Sequence, residues 1–308
     1  MHRTIPLSLL AAITMVPAAT GQGFGPKSTI LGTDMLGPSR AVAADLDGDG
    51  DLDVVTASFG EGLVFLHENV GGGQFLDPEP VDPATSDAYW ACTADLDADG
   101  DIDILATQFN DDRVVWYENL GAGAFAPEAK LVDKSGGLRF LDTADMDGDG
   151  DLDLLVIAAL IDEIVWFPNL GGGSFGTEVM VTNAVDNPTT LWAGDLDGDG
   201  DTDLASGSYT NGEVSWHRNL GGGTFGARIL LHSESGTSGW VAGGDVDLDG
   251  DTDLVSAIGG THGDEVRVHT NAGSGSFHPS LVVATETDAP QSLIVEDLDA
   301  DGYLDVLT

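Results

Sequence analysis

The chain has 308 residues, of which 53 are acidic and 10 are basic, and its formal net charge is −43. This charge excludes a nucleic-acid-binding surface, because phosphate backbones are bound by clustered Lys and Arg, and it disfavours attraction to anionic membranes. Cys92 is the single cysteine, which excludes an internal disulfide.

Residues 1–22 have the pattern of a secretory signal peptide. A short basic end is followed by an apolar run over residues 5–16 and by a small-residue cleavage region. The apolar run is shorter than the roughly 20 residues that a membrane-spanning helix needs, and no later stretch is long and apolar enough. We therefore expect an exported protein without a transmembrane segment and with one repeat-built domain over residues 23–308.

One acidic loop recurs six times and sets the spacing of the rest of the chain. Its first copy is ADLDGDGDLDVV, residues 44–55, and the first aspartates of successive copies are 50 residues apart four times and then 52 apart. A fixed period of this length indicates a repeat protein. The repeats start near residues 40, 90, 140, 190, 240 and 292.

The loop carries the residues of a cation site. Aspartate occupies positions one, three, five and nine of every copy, and glycine at position six allows a sharp turn. Position seven is aspartate five times and Tyr303 once, so we expect it to contribute its backbone carbonyl. The predicted ligands are Asp45, Asp47, Asp49, Asp51 and Asp53; Asp95, Asp97, Asp99, Asp101 and Asp103; Asp145, Asp147, Asp149, Asp151 and Asp153; Asp195, Asp197, Asp199, Asp201 and Asp203; Asp245, Asp247, Asp249, Asp251 and Asp253; and Asp297, Asp299, Asp301, Tyr303 and Asp305.

Calcium is the expected ion, about one per repeat. Hard oxygen ligands at this spacing favour calcium, and the absence of His and Cys from the loops argues against zinc. Position twelve lacks the glutamate of an EF-hand, so the loops are not EF-hands. The alternative is that they are solvated acidic turns, but chance would not hold aspartate at four fixed positions in six copies. Folding should then depend on the ion.

Each repeat is predicted to form four short antiparallel strands, A to D. A small-residue segment precedes the acidic loop, and a β-branched or leucine-rich segment follows it. A third segment ends at an asparagine, after which an NxGxG turn leads to a phenylalanine and a fourth strand. No helical period follows the signal peptide. This all-β pattern fits the blades of a β-propeller better than a solenoid or a row of separate domains.

The DxDxDGDxD loop between strands A and B, followed by the NxGxGxF turn, resembles the FG-GAP or VCBS repeat family and is similar to the propeller of integrin α chains. The resemblance covers about residues 24–308. It implies a calcium-binding β-propeller, usually of seven blades, on secreted or surface proteins engaged in adhesion or carbohydrate contact. Six repeats are visible here, as part of a six- or seven-bladed ring. The family hosts many functions, so the resemblance indicates the fold far better than the role.

The last repeat stops after strand B, while residues 24–31 match the strand D segments of the other repeats. A ring can use such a strand to complete its final blade, which removes exposed sheet edges, but the strand must pair with a strand C. We therefore expect a strand C beyond Thr308 and, from the resemblance, a further blade. The chain should show five complete blades and an incomplete sixth.

Two catalytic patterns are interpreted as turn sequences. Residues 172–176, GGSFG, match the GxSxG of serine hydrolases, and the GGGSFG that contains them matches a dinucleotide-binding loop. The position of Ser174 is occupied by Gln, Ala, Thr or Ser in the other repeats, and neither motif has a strand-to-helix context. We name no catalytic residue.

The two ends of the blades have different expected roles. The AB loops and CD turns share one end, and the BC and DA connections, which vary among repeats, share the other. Aromatic and polar side chains there suit a sugar or a peptide, although packing at the rim explains them equally well. Trp116, Trp166 and Trp216 recur at one strand C position and are interpreted as core between blades. The ligand candidates are Arg40, Trp90, Phe109, Phe140, Tyr209 and Trp240, of which Trp90 and Trp240 lead.

Two classes of function fit these observations. The first is a secreted or surface calcium-stabilised binding or adhesion module with a glycan or protein ligand. The alternative is an enzyme, or the accessory module of one, that degrades polysaccharide as a lyase or hydrolase. A lyase needs a base facing an acidic sugar, and the acidic chain makes an anionic substrate unfavourable unless calcium bridges it. The sequence indicates no oligomeric state.

Overall fold

The computed structural model describes residues 37–233, 236–260, 264–285 and 290–308. These residues form β-strands and one short 3₁₀ helix, Ala159–Ile161. Within them, no helix is long and apolar enough to cross a membrane. The signal peptide predicted at residues 1–22 and the strand predicted at residues 24–31 lie outside the described residues.

The described chain falls into two compact units that divide between Asn183 and Ala184. The first unit contains three four-stranded sheets, which we call blades one to three. Blade one consists of β1 (Pro38–Ala44), β2 (Asp53–Ser58), β3 (Leu63–His67) and β4 (Glu79–Pro80). Blade two consists of β5 (Ala88–Ala94), β6 (Asp103–Gln108), β7 (Arg113–Tyr117) and β8 (Ala129–Asp133). Blade three consists of β9 (Leu138–Ala144), β10 (Asp153–Ala158), β11 (Glu163–Phe167) and β12 (Val179–Thr182).

The second unit contains two four-stranded sheets, blades four and five, and one two-stranded sheet. Blade four consists of β13 (Pro188–Gly194), β14 (Asp203–Ser208), β15 (Val214–His217) and β16 (Ile229–His232). Blade five consists of β17 (Gly236–Gly244), β18 (Asp253–Gly260), β19 (Glu265–His269) and β20 (Leu281–Ala284). The two-stranded sheet pairs β21 (Ile294–Glu296) with β22 (Asp305–Leu307).

All strand pairs in these sheets are antiparallel, and each strand pairs with the next one in sequence. This confirms the predicted all-β fold of repeated four-stranded blades, here called strands A to D of each blade. The described residues show five such blades and the A and B strands of repeat six. The predicted phenylalanines pair with their asparagines as isolated bridges, such as Asn69 with Phe75, and strand D begins a few residues later.

The second strand of each blade lies at the centre of its core. Every residue of β6, β10 and β14 is buried, because each of these strands has a neighbour on both edges and packed side chains on both faces. Their continuous apolar and small-residue sequences reflect this burial. One core cluster joins blades one and two and includes Leu46, Val55, Ile104 and Tyr117.

The first strands of successive blades lie beside one another within each unit. In all five blades the pairing of strand A with strand B shifts register near the start of strand A, as between Ala88 and Trp90 in blade two. The extra residue is Tyr89 in blade two and Arg139 in blade three. Such a bulge interrupts the alternation of side chains between the two faces of the strand, so the side chain of the extra residue points in a different direction.

The tryptophans of strand C pack in the core, as predicted. Trp116, Trp166 and Trp216 are 8%, 3% and 4% exposed. The Trp116 ring lies against Gly173 in the CD turn of blade three, and the Trp216 ring lies against Gly275 in the CD turn of blade five. A Cβ atom on Gly173 would lie 2.5 Å from the Trp116 ring, and one on Gly275 would lie 2.1 Å from the Trp216 ring, so either would overlap the ring. Glycine in these turns therefore makes room for the tryptophan of the preceding blade.

Candidate metal centres and an aromatic surface patch

The backbone of each acidic loop is wrapped around its first aspartate. In repeat one, the N–H of Gly50 donates to Asp45 Oδ2 at 3.0 Å, and the glycine has a positive φ of 92°. The equivalent bond to the position-six glycine recurs in all six repeats. An L-residue would be strained at this φ, so glycine at position six follows from the turn.

Position nine is the first residue of strand B, and its carboxylate joins the acidic loop to the CD turn. Asp53 is 1% exposed; its Oδ2 accepts from Leu46 N at 3.0 Å and its Oδ1 accepts from Asn69 N at 2.8 Å. The Oδ2 bond recurs in all six repeats, and the Oδ1 bond recurs in five. The AB loop and the CD turn therefore lie at one end of each blade, as predicted.

The carboxylates of each loop are close enough to share one ion. Ligand atoms of Asp45, Asp47 and Asp53 lie within 4.8 Å of one another. The same three positions come together in Asp145, Asp147 and Asp153 and in Asp245, Asp247 and Asp253. In repeats two and four the group contains position five in place of position nine: Asp95, Asp97 and Asp99, and Asp195, Asp197 and Asp199. In three loops the Oδ1 atom of position three, on Asp97, Asp197 and Asp247, is buried without a hydrogen bond. Buried carboxylate oxygens facing other carboxylates fit a hard divalent cation.

Burial shifts the titration of the position-nine carboxyls. It raises the pKa of Asp103, Asp153, Asp203 and Asp253 to about 6, and repulsion from the position-three carboxylate adds to the increase, while backbone N–H donors oppose it. Burial also raises the pKa of Asp53. Burial and repulsion disfavour the charged form of these carboxylates, and a bound cation would stabilise that form.

The asparagine that ends each strand C is a site residue that the ligand pattern did not include. Asn119 Nδ2 donates to Ile102 O in its own loop at 2.9 Å and to Leu46 O in the loop of blade one at 2.8 Å. Asn169 forms the same bond to Leu96 O of blade two at 3.2 Å, and Asn271 to Leu196 O of blade four at 2.6 Å. The recurrence of this asparagine at the same position in five repeats is the feature of the sequence that could have identified it as a site residue.

At the opposite end of the first unit, three aromatic rings form a surface cluster that we call the aromatic patch. It consists of Phe59, Tyr89 and Phe109. The ring centroids of Tyr89 lie 5.2 Å from both phenylalanines, which are 6.1 Å apart. Phe59 is 47% exposed. The patch joins the BC loops of blades one and two through the bulged residue of β5.

Polar groups and a further apolar side chain border the patch. The Arg139 guanidinium lies 5.8 Å from the centre of the Phe109 ring. Asp87 accepts from Asn110 Nδ2 at 2.5 Å. Leu160 is 64% exposed. Leu160 and Phe109 both lie against Gly137: a Cβ atom on Gly137 would be 2.8 Å from Leu160 and 2.9 Å from Phe109. The border therefore offers charged and hydrogen-bonding groups beside exposed apolar surface.

The structure corrects the predicted ligand candidates Trp90 and Phe140, which are packed in the interior. Both are 5% exposed, and their ring centroids are 5.1 Å apart. The Arg40 guanidinium, another predicted candidate, lies over the Trp90 ring, 4.7 Å from its centre. These residues follow the bulge, so they point inward from strand A, whereas Tyr89 reaches the patch.

The remaining ligand candidates, Phe109, Tyr209 and Trp240, differ in their exposure to solvent. Phe109 belongs to the aromatic patch, and Tyr209 is 44% exposed in the BC loop of blade four. Trp240 is partly buried against the core cluster of blade five. Phe59 and Tyr89 were not among the candidates, although Phe59 begins a BC loop.

Several buried groups resemble catalytic pairs but are structural. Ser206 Oγ lies 2.8 Å from His217 Nε2, and Ser256 Oγ lies 2.9 Å from His269 Nε2. Both histidines are 1% exposed, and burial lowers their pKa to about 4 and about 3. The pair recurs as Thr56 with His67 in blade one. A group repeated in the core of three blades and closed to substrate has no place in catalysis.

Comparison with known proteins identifies the repeats. The family model of the FG-GAP-like repeat matches residues 45–106, 95–156, 195–256 and 245–308, which together cover more than half of the chain. The chain therefore belongs to the FG-GAP-like repeat family. No curated protein matches it significantly.

Solved structures similar to the chain include propellers and a lectin. A lectin from Agrocybe aegerita, described as specifically recognising non-reducing terminal N-acetylglucosamine, is 26% identical with a TM-score of 0.58; the match covers 80% of this chain and 67% of the lectin. The biofilm matrix protein Bap1 of V. cholerae is 18% identical with a TM-score of 0.53, over 85% of this chain and 41% of Bap1. The Dos1 propeller is 10% identical with a TM-score of 0.50, over 83% and 71%. The last two likenesses show the fold alone.

Proposed function

We propose that this protein is an exported, calcium-binding module of the FG-GAP-like repeat family that binds a neutral glycan at the aromatic patch. The observation that carries the proposal is the cluster of exposed Phe59 with partly buried Tyr89 and Phe109, at the end of the first unit opposite its acidic loops. Binding, rather than catalysis, is the activity that this arrangement supports best.

The chemistry of the patch suits a sugar. The C–H faces of a pyranose ring pack well on aromatic rings, and sugar hydroxyls pair with carboxylates, amides and guanidinium groups. The border of the patch supplies such groups in Asp87, Asn110 and Arg139. The fold likeness to a lectin that recognises terminal N-acetylglucosamine supports the same class of ligand.

The charge of the chain favours a neutral ligand over an anionic one. A net charge of −43 repels uronic acids, sulfated sugars and acidic peptides at long range. N-acetylhexosamines and neutral hexoses carry no charge to repel. This consideration also weakens the alternative of a lyase, whose substrates are acidic polysaccharides.

Calcium has a structural role in the proposal. In blades one to three the acidic loops lie at the end opposite the patch, so ions bound there hold the strands in place and do not touch the ligand. The ion would be held by the carboxylates at positions one, three, five and nine and by the backbone carbonyl at position seven. The signal pattern in residues 1–22 supports export to compartments where calcium is abundant.

The test is binding of N-acetylglucosamine-terminated and other neutral glycans, measured on an array and by calorimetry with calcium present. Phe59→Ala and Tyr89→Ala should each weaken binding by about fivefold to tenfold, because each removes a stacking ring. Leu120→Ala is the matched control, since Leu120 is 62% exposed in a CD turn at the other end of the blade.

The same samples decide between the alternatives. Absence of binding to every neutral glycan, with folded protein and bound calcium, would refute the glycan proposal. Release of new reducing ends or unsaturated sugars from a polysaccharide would favour the enzyme instead.

A further inference from the structure

The acidic loop of repeat four contains a positively charged side chain. Arg218, the last residue before the asparagine of that repeat, forms an ion pair through Nε with Asp197, and its Nη2 donates to Asp199 Oδ2 at 3.0 Å. The Asp197 side chain is only 3% exposed, while the Arg218 side chain is 44% exposed. The guanidinium therefore reaches from the surface into the carboxylate cluster.

Repeat four differs from its neighbours at this position. The equivalent residues are Glu68, Glu118, Pro168 and Thr270. None of these four carries a positive charge, and two of them add a negative charge beside the loop. The acidic ligand positions themselves are the same in all five repeats, so Arg218 is the feature that sets loop four apart.

We propose that Arg218 is a tethered cation that competes with calcium in the fourth loop. The inference rests on the proposed calcium binding of the acidic loops and goes beyond it, because it makes one of the sites different from the rest. Loop four is held together by Arg218 when calcium is scarce, and it binds calcium more weakly than the other loops.

The physical basis is competition for the same carboxylates. Asp197 and Asp199 supply positions three and five of the loop, and these are the two groups that Arg218 contacts. A calcium ion must either displace the guanidinium or bind beside its positive charge. Either event weakens the fourth site by roughly tenfold or more, because two like charges within several ångströms repel strongly near a protein surface.

The proposal predicts opposite effects for two reciprocal substitutions. Arg218→Glu, which introduces the residue of repeats one and two, should strengthen the weakest calcium site by roughly tenfold or more. Glu118→Arg should weaken one site by a similar factor. Calcium binding is counted by equilibrium dialysis with radioactive calcium and fitted to one affinity per class of site.

A second measurement follows the melting temperature instead of the calcium affinity. In chelator, Arg218→Glu should lower the melting temperature, because the buried Asp197 loses its cation, and added calcium should restore it. Arg228→Glu is the matched control: it makes the same charge change in blade four, where Arg228 pairs with Glu213 outside the acidic loop. This control should leave every calcium affinity within about twofold of the native values.

The outcomes separate the inference from the proposed function. If no loop binds calcium in either protein, the calcium proposal and this inference both fail. If calcium binds but the affinities in Arg218→Glu and Glu118→Arg equal those of the native protein, Arg218 simply moves aside and only the inference is refuted. A shift in Arg228→Glu equal to that in Arg218→Glu would also refute it, since net charge would then explain both.

Discussion

At the scale of single residues, Asn119 shows how one side chain ties two acidic loops together. Its Nδ2 group donates to the carbonyls of Leu46 in blade one and Ile102 in its own loop, and its Oδ1 accepts from Gly121 N at 3.0 Å. The amide is 1% exposed, and all of its groups are bonded. Asparagine suits this position because its side chain offers two donors and an acceptor in one plane.

We predict that Asn119→Ala lowers the free energy of unfolding by about 1–3 kcal/mol, because it removes the side-chain hydrogen bonds to Leu46 O and Ile102 O and from Gly121 N. The measurement is urea unfolding at saturating calcium. Asn69→Ala is the comparison, because the described side-chain bonds of Asn69, to Leu52 O and from Gly71 N, stay within blade one. Equal losses in the two variants would show that the bond between blades contributes nothing.

At the scale of the element, each acidic loop is arranged by its own backbone before any ion binds. Position one accepts from the position-six N–H, position five accepts from the position-seven N–H, and position nine anchors the loop to strand B. This arrangement brings several carboxylates together and raises the pKa of the position-nine carboxyl in four loops to about 6. The strain of like charges is the source of the expected calcium affinity.

The sign of the resulting pH dependence follows from these pKa values. A folded-state pKa of about 6 lies above the ordinary value of 3.8, so without a bound cation each carboxyl contributes stability that is full below pH 3.8 and is lost as pH rises through 6. We expect calcium to bind the charged form and to offset this loss, so that protons and calcium compete below about pH 6.

We predict that calcium raises the melting temperature strongly at pH 7.5 and much less at pH 5. The quantity to measure is the difference between the melting temperatures with calcium and with chelator at each pH. Taking this difference removes the effect of the buried histidines, whose lowered pKa values destabilise the fold with or without calcium as pH falls below 6.5. A difference that stays constant between pH 7.5 and 5 would contradict the competition.

At the scale of the whole molecule, the large negative charge favours the binding of cations. A chain with a net charge of −43 repels itself when folded, and most of that charge is concentrated in the acidic loops. The single cysteine, Cys92, is buried and forms no disulfide. We therefore expect cations bound at the ends of the blades to supply stability that many exported proteins obtain from disulfides.

We predict that a chelator lowers the melting temperature by on the order of 10 °C or more, since calcium at a hundredfold excess over Kd adds ~2.7 kcal/mol for each site. Asp147→Ala should remove roughly one site's share of this stabilisation. Asp133→Ala is the control, because Asp133 is 67% exposed outside the loops and the charge change is the same. The same melting temperature with and without chelator would refute the structural role of calcium.

The sequence alone determined the repeat, the four strands of each blade, the end of the blade that carries the acidic loops and the residues of the metal clusters. These features follow from local chemistry. Aspartates at alternate positions around a glycine form one loop wherever they occur, and comparing six copies separates required residues from tolerated ones. The tryptophans of strand C, including Trp116, were predicted to be core for the same reason, and they are buried.

Only the tertiary structure decided which aromatic residues face the solvent. A bulge at the start of β5 displaces the side-chain alternation by one residue, so Tyr89 reaches the aromatic patch and Trp90 packs inside against Phe140. The contacts of Asn119 with blade one and of Arg218 with its loop were equally invisible in the sequence, because each joins residues that are far apart along the chain. A one-residue shift in register or a contact between distant strands leaves no periodic signal, and both depend on how the blades pack.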